Sequence, residues 1–315
     1  MFAEESAAPG KFWREFFSRP SDGVQAPGND PHRAAKIALG ELLFKDARLS
    51  GDGSMSCATC HQPERAFTDG LAKPQSRLGG ALRRNAPALL NLAWATRFNR
   101  DGSAESLEQQ ARAPITRKEE MAGSFDEIIS KLKADKRIVA LFKRAFPTEE
   151  LSDDAILKAL AAYVRTLVSP RIRFDAWIDG GKSALNEAEV AGFRLFVGKA
   201  GCVACHAGWR FTDDGFHDIG VNSDDPGRSG VPGGAAGIPA FKTPGLRQLQ
   251  LTAPYMHDGS LQTLENVIDH YAGSFKERPS LSSNMVRDLV LTEDEKSALL
   301  AFLRSLSTDP PTTQD

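Results

Sequence analysis

The sequence has few cysteines, no excess of charge of either sign and no long hydrophobic run, and each shortage excludes a class of protein. Its 315 residues include four cysteines, all inside two C-x-x-C-H motifs, so none remains for a disulfide framework. A net charge of −2 gives no electrostatic basis for binding nucleic acid or an anionic membrane. No apolar run approaches the roughly 18–20 residues of a membrane span, so we expect no membrane insertion.

What the sequence does contain is a duplicated unit around the two cysteine motifs. Each motif follows a segment with Gly, Leu and Phe at the same spacing, and each precedes a Phe-Thr-Asp triplet. The two motif histidines lie 145 residues apart, and a repeat of this length indicates tandem domains rather than a solenoid. The motif residues are Cys57, Cys60 and His61 in the first unit, and Cys202, Cys205 and His206 in the second.

A C-x-x-C-H motif can be a zinc site, a redox dithiol or an anchor for haem. A zinc site needs two cysteine pairs close enough to form one tetrahedron, usually within about 20 residues. A thioredoxin-like dithiol needs a βαβ setting, which this sequence does not show. In a c-type haem site both thiols bond to the porphyrin and the following His coordinates iron. Two such motifs that use every cysteine therefore predict two covalent haem c groups.

Apolar periodicity predicts a mainly α fold. Together with the duplication and the two motifs, it indicates two tandem cytochrome c-like domains, each binding one covalent c-type haem. Helices are expected over 152–168, which begins at a Ser cap, and at the C-terminus, where Thr292 and Glu295 form a capping box. Asn186 and Glu189 form another before the second motif. The helical pattern breaks near 168–182. We therefore predict an N-terminal extension over 1–29, a first domain over 30–170 and a second over 171–315.

Histidines are also scarce, and this bears on whether the protein is a carrier or an enzyme. Besides the two motif histidines there are His32, His217, His257 and His270, and none lies between His61 and Asp101. The first haem therefore has no obvious second axial ligand from the following loop. An open coordination position favours an oxidase or peroxidase over an electron carrier.

Four further stretches resemble the bacterial dihaem cytochrome c peroxidase/MauG family. They are LGELLFKDARLSGDGSMSCATCH, RRNAPALLNLAWATRFNRDGSAESLEQQARAPITRKEEMA, FKTPGLRQLQLTAPYMHDGSLQTLENVIDHY and LTEDEKSALLAFLRSL. The resemblance covers nearly the whole chain from about residue 30. It implies that peroxide reacts at the N-terminal haem, with Gln110 and Glu120 on its distal side and Pro114 between them. Cleaving the O–O bond requires a group that takes a proton from the inner oxygen and returns it to the outer one. A carboxylate whose pKa is raised by burial suits that role.

The resemblance also implies a six-coordinate second haem that stores or relays electrons. The position matching the family's sixth ligand is Tyr271, as in the MauG-like branch of the family. Neighbouring His270 and the earlier Met256 and His257 are alternative ligands. The family's calcium ion would use Asn85 and the carbonyl of Thr243.

Two departures from the family pattern concern the first domain. Many members have a Trp directly before Asp-Gly that connects the haems electronically, whereas this chain has Arg100 there and Trp94 six residues earlier. Many peroxidases also carry a His in the loop after the first haem that must be displaced by reduction. Residues 62–100 contain no His, so no reductive activation is expected.

These observations predict a dihaem enzyme that uses hydrogen peroxide. The first hypothesis is a peroxidase whose electron donor is a small cytochrome c or cupredoxin. The second is a MauG-like oxidase of a partner protein substrate or a small molecule, and the third is a plain dihaem electron carrier. Covalent haem c implies assembly in the periplasm. The N-terminal stretch MFAEESAAPGKFWREFF lacks a signal sequence, which we expect to have been removed.

Overall fold

The computed structural model describes residues 9–21, 23–24 and 30–308. The chain divides into two compact units, one ending at residue 168 and the other formed by residues up to 21 and from 169 onward. The fold is mainly helical, as the sequence predicted. Among the described residues, no helix has both the length and the apolar character that a bilayer crossing requires.

The regular secondary structure of both units is mainly helical, and the second unit adds two short strands. The first unit contains α2 (Arg33–Phe44), α3 (Cys57–Cys60), α4 (Leu107–Thr116), α5 (Phe125–Lys133), α6 (Lys136–Ala145) and α7 (Asp153–Val164). The second contains α1 (Lys11–Phe17), α8 (Arg173–Ile178), α9 (Glu187–Val197), α10 (Leu264–Asp269), continued by a π-helical turn over His270–Ser274, and α11 (Glu293–Ser305). Its two short strands, β1 (Phe216–His217) and β2 (Phe241–Lys242), pair antiparallel, with Phe216 opposite Lys242.

The predicted helix starts are confirmed by their hydrogen bonds. Asn186 accepts from the backbone N–H of Glu189, whose carboxylate accepts from the backbone N–H of Asn186 in return. Thr292 and Glu295 exchange the same two bonds at the start of α11. Ser152 accepts from the N–H of the third residue of α7. Each contact satisfies N–H groups that have no partner within the helix.

A glycine at a helix crossing organises each unit. In the first unit α2 crosses α7, and a Cβ added at Gly40 would lie 1.9 Å from the carbonyl oxygen of Ala159. In the second unit α9 crosses α11, and a Cβ added at Gly192 would lie 2.0 Å from the carbonyl oxygen of Ala298. Only glycine permits backbones to approach this closely. The repeated Gly-x-x-x-Phe segment of the sequence therefore marks a repeated helix crossing.

We expect Gly40→Ala to lower the free energy of unfolding by about 1–3 kcal/mol, the usual cost of overpacking. The added methyl group meets backbone rather than a flexible side chain, so α2 must move away from α7. Thermal unfolding followed by circular dichroism checks this. Gly10→Ala is the control, because a Cβ there has no heavy atom within 4 Å. If the Gly40 variant is as stable as the control variant, the α2 and α7 backbones do not approach each other this closely.

The segment before residue 22 takes part in the core of the second unit. Phe17 of α1 is fully buried, and its ring lies 5.6 Å from that of Phe174 and 5.1 Å from that of Phe211, between centroids. Trp13 packs edge-on against Phe193 at 5.9 Å. The sequence analysis treated 1–29 as an extension and assigned it no packing role. The structure shows that its helix fills part of the apolar core.

Candidate functional site

The two motif histidines are held in the same way. The Nδ1 of His61 is 2.8 Å from the carbonyl oxygen of Phe67, and the Nδ1 of His206 is 2.9 Å from that of Phe211. A carbonyl only accepts, so each Nδ1 carries the proton and donates it. The Nε2 atom of each ring therefore has the lone pair that can coordinate a metal, and the ring orientation is fixed from behind.

The two carbonyls that hold these rings belong to residues with left-handed backbone. Phe67 has φ 63° and Phe211 has φ 57°. Such a conformation costs a non-glycine residue about 1–3 kcal/mol, and residues strained in this way cluster at functional sites. Sequence reasoning noticed the Phe-Thr-Asp triplet only as a repeat. The signal for its role was the triplet's place five or six residues after each histidine.

The cysteines do not have the properties of a redox dithiol. All four lie within the described residues, and none forms a disulfide. Burial raises the pKa of Cys57 and of Cys202 to about 12. The pKa of Cys60 rises to about 11, first by burial and then by the negative charges of Asp69 and Glu120. Reactive dithiols have lowered pKa values, so these thiols fit attachment to a prosthetic group better than redox exchange.

One cluster near the second motif could hold a metal ion. Ligand atoms of Cys205, Asp213 and His217 all lie within 4.8 Å of one another. The Nε2 of His217 is 2.7 Å from a carboxylate oxygen of Asp213. Haem attachment would convert the Cys205 thiol into a thioether and remove the best donor of the three. The cluster and a covalent haem are therefore alternatives, and the duplicated motif favours the haem.

The distal segments of the two units repeat each other as closely as the motifs do. In the first unit an isolated antiparallel bridge joins Phe98 to Ala104, and in the second a bridge joins Tyr255 to Leu261. Each partner in the second bridge lies 157 residues after its counterpart. The residue after each bridge start, Asn99 or Met256, has positive φ in both units. These loops are therefore the same structure built twice.

The equivalence continues into the helices that follow. Ser106 caps α4 by accepting from the third residue of the helix, and Thr263, again 157 residues later, caps α10 in the same way. Counted on the same offset, Pro114 in α4 is the counterpart of Tyr271 in the π-helical turn. One unit thus presents a ring with no ligand atom where the other presents a phenol.

The first unit brings the residues predicted for the peroxide site into one region. Gln110 and Pro114 are one turn apart on α4, so they share a face, and Pro114 cannot donate to the Gln110 carbonyl. The backbone N–H of Met121 donates to the carbonyl of Pro114 over 3.1 Å, which folds the following loop back onto the helix. The negative charge of Glu120 in that loop contributes to the raised pKa of Cys60.

Glu120 is less enclosed than the sequence analysis expected for an acid–base group. Its side chain is 25% exposed, and its carboxylate is 3.0 Å from the guanidinium of Arg117. Its role in proton transfer stays a prediction, as do those of Gln110 and Pro114.

Three residues were considered as alternatives to Tyr271, and two of them have other contacts. The Nε2 of His270 lies 2.8 Å from the carbonyl oxygen of Ile219. His257 stacks on Phe241 with ring centroids 3.6 Å apart. Burial, followed by electrostatic interaction with the sulfur atoms of Cys202 and Cys205, raises the pKa of Tyr271 above its usual range. The phenol therefore lies within electrostatic range of the second motif, although its ligand role stays a prediction.

The residues expected to bind calcium have their oxygens engaged. The Oδ1 of buried Asn85 accepts from the guanidinium of Arg100 over 2.5 Å, and its amide donates to the carbonyl of Leu71. The carbonyl of Thr243 accepts from the hydroxyl of Thr212 over 2.7 Å. A calcium ion beside Asn85 would meet a positive charge at the oxygen it needs, so this arrangement does not fit the ion. Arg100, at the position where the family resemblance led us to look for a Trp, provides that contact.

Comparisons with known proteins agree with this geometry. The sequence profile of the family described as di-haem cytochrome c peroxidase matches residues 34–183. The chain is 46% identical to the methylamine utilization protein MauG of Methylorubrum extorquens, over 93% of this chain and 84% of that protein. It is 36% identical to the cytochrome c551 peroxidase of Nitrosomonas europaea, over 89% of this chain and 82% of that protein.

A solved structure supports the fold over nearly the same length. The crystal structure of a MauG-like protein associated with microbial copper homeostasis superposes with a TM-score of 0.82. The two sequences are 32% identical, and the match covers 92% of this chain and 95% of that protein's chain.

Proposed function

The chain belongs to the di-haem cytochrome c peroxidase and MauG family, and from this premise we propose that it reacts with hydrogen peroxide at the haem of His61. Members of this family are oxidoreductases with two haem groups. The haem of His206 would relay or store electrons, and the electrons would come from outside the chain. Covalent attachment through the four cysteines supports assembly in the periplasm.

The observation that carries the proposal is that Pro114 and Tyr271 occupy equivalent positions in the two units. Proline has no side-chain ligand atom, so Pro114 would leave the iron of a haem bound at His61 accessible to peroxide. Tyrosine can supply a phenolate oxygen to the second iron. One open and one filled haem is the division that a peroxide-using enzyme needs, and a plain carrier would fill both.

The protein's own side chains have separate tasks around the first haem. A bound haem would supply the redox chemistry, His61 Nε2 would hold its iron, and the Phe67 carbonyl keeps the His61 ring in place. The Gln110 amide can hydrogen-bond peroxide and orient it. The Glu120 carboxylate takes the proton from the inner peroxide oxygen and delivers it to the outer one, so that water can leave.

A MauG-like reaction on a partner protein is the second candidate. It is favoured by the higher identity to MauG proteins, 46% and 43%, than to the cytochrome c551 peroxidase, 36%. In a MauG-like reaction the electrons come from side chains of the partner protein. In a peroxidase reaction a small cytochrome c or cupredoxin supplies them. Turnover of peroxide with each class of donor separates the two.

We expect the fully ferric protein to react with peroxide immediately, without prior reduction. Residues 62–100 contain no His to block the first iron, and Pro114 offers no ligand atom. Stopped-flow absorbance of the Soret band after mixing with peroxide checks this. Protein reduced by one electron beforehand serves as the comparison. If only the reduced sample reacts, another group occupies the iron and the open-site proposal is wrong.

A further inference from the structure

The helix crossing at Gly40 places a tyrosine where the second unit has a phenylalanine. A Cβ added at Gly40 would lie 2.9 Å from the Cβ of Tyr163, and one added at Gly192 would lie 2.7 Å from the Cβ of Phe302. In the first unit Phe44 and Tyr163 have ring centroids 5.2 Å apart at 61°. In the second, Phe196 and Phe302 have centroids 5.1 Å apart at 61°. The two aromatic pairs have the same geometry, and the hydroxyl group is the difference.

The inner end of this pair reaches the haem ligand of the first unit. Phe44 is 3% exposed, and its ring centroid is 6.5 Å from that of His61. Tyr163, Phe44 and His61 therefore form a continuous series of aromatic contacts. Phenylalanine is hard to oxidise and serves only as the medium between the two outer rings, whereas a phenol can lose an electron and a proton.

The outer end of Tyr163 lies beside charged groups at the surface. The pKa of its phenol is raised, first by burial and then by the Glu41 carboxylate, while Lys45 acts in the opposite sense. Glu41 and Lys45 form an ion pair of 2.8 Å and are about half exposed. The Glu41 carboxylate and the Lys45 ammonium are thus the charged groups that act electrostatically on the Tyr163 hydroxyl, and both of them reach solvent. Phe302 has no hydroxyl and so has no proton to transfer.

We propose that Tyr163 is a redox relay that carries one oxidising equivalent from the first haem to the surface at Glu41 and Lys45. The inference rests on the proposed reaction with peroxide, which supplies the oxidant. One electron passes from the Tyr163 ring through Phe44 and His61 to the oxidised haem centre, and the phenol proton passes to the Glu41 carboxylate. The resulting neutral tyrosyl radical is reduced by one electron from an outside donor and regains its proton. No other oxidant is needed.

The test uses the haem-loaded ferric protein with Tyr163→Phe, and with Tyr255→Phe as the matched control. Phe302 shows that the fold accepts phenylalanine at this kind of crossing, and Tyr255 is a half-buried tyrosine of the other unit. Samples are frozen shortly after mixing with one equivalent of peroxide and examined by EPR. A parallel set is treated with a spin trap and digested for mass spectrometry. Stopped-flow Soret traces record the reaction with peroxide itself.

We expect a tyrosyl radical signal and a trap adduct on the Tyr163 peptide in the wild type and in Tyr255→Phe. Both should be lost in Tyr163→Phe, with the Soret rate unchanged. A normal Soret reaction with no radical, or with a radical that persists in Tyr163→Phe, overturns the relay and leaves the peroxide reaction in place. A wild type with no Soret reaction removes the peroxide proposal and the relay together.

Discussion

Replacing Glu120 with glutamine is expected to slow the reaction of the ferric protein with hydrogen peroxide by about 10²–10⁴-fold, the usual scale for a lost acid–base group. Glutamine keeps the shape of the side chain and can hydrogen-bond peroxide, but it cannot take up and return a proton. Haem content and the resting spectrum should be nearly unchanged, because Glu120 is not an anchor. The rate is read from stopped-flow decay of the ferric Soret band.

Glu119→Gln is the matched control for this variant. Glu119 is the preceding residue in the same charged loop and is exposed to solvent. Its substitution removes the same charge from the same segment, so we expect a rate within a few-fold of the wild type. If the two variants react equally fast, Glu120 is an ordinary surface charge paired with Arg117, and another group moves the proton.

The substitution Tyr271→Phe is expected to change both the spin state and the reduction potential of the second haem. Removal of the phenolate should convert that haem from low-spin to high-spin, because no other atom then fills its sixth position. A tyrosinate is a hard anionic donor that stabilises ferric over ferrous iron, so the reduction potential should also rise. The reaction of the first haem with peroxide should survive, because Pro114 and Glu120 belong to the other unit.

The ferric EPR spectrum measures the spin state of the second haem, and a redox titration measures its reduction potential. Tyr255→Phe is the control, because the Tyr255 hydroxyl donates to the carbonyl of Leu249 over 3.2 Å and so has a structural partner. If the low-spin signal of Tyr271→Phe is unchanged, Met256 or His257 is the ligand, and the MauG-like candidate loses its main structural support. His270 is the weaker substitute, because its Nε2 is bonded to the Ile219 carbonyl.

Much of the fold could be predicted because its signals are local. The capping residues Asn186 and Thr292 each exchange hydrogen bonds with a residue three positions later in the chain, and the structure confirms both. The two C-x-x-C-H motifs are local signals too, since two thiols and a histidine that serve one haem must be near neighbours in the chain. The role of Phe67 was missed because a backbone carbonyl leaves no trace in the residue type.

Other features were missed because the two units differ in the lengths of their loops. The motif histidines are 145 residues apart, but the distal bridges and the Pro114–Tyr271 pair are 157 residues apart. An alignment of the two halves on the motifs alone therefore does not bring Pro114 opposite Tyr271. Only the shared bridges and helix caps restore the register.

The sequence by itself determined the duplication and the caps that begin α7, α9 and α11, and it predicted the haem anchors, because these depend on residue types at short spacing. Tertiary structure alone decided that α1 fills the core of the second unit, that Arg100 holds the oxygen of Asn85, and that Tyr163 lies against Phe44. Each of these contacts joins residues well apart in the chain, or depends on where a side chain points once helices have packed. Close packing around the glycine crossings selects one such arrangement from the many that the local pattern permits.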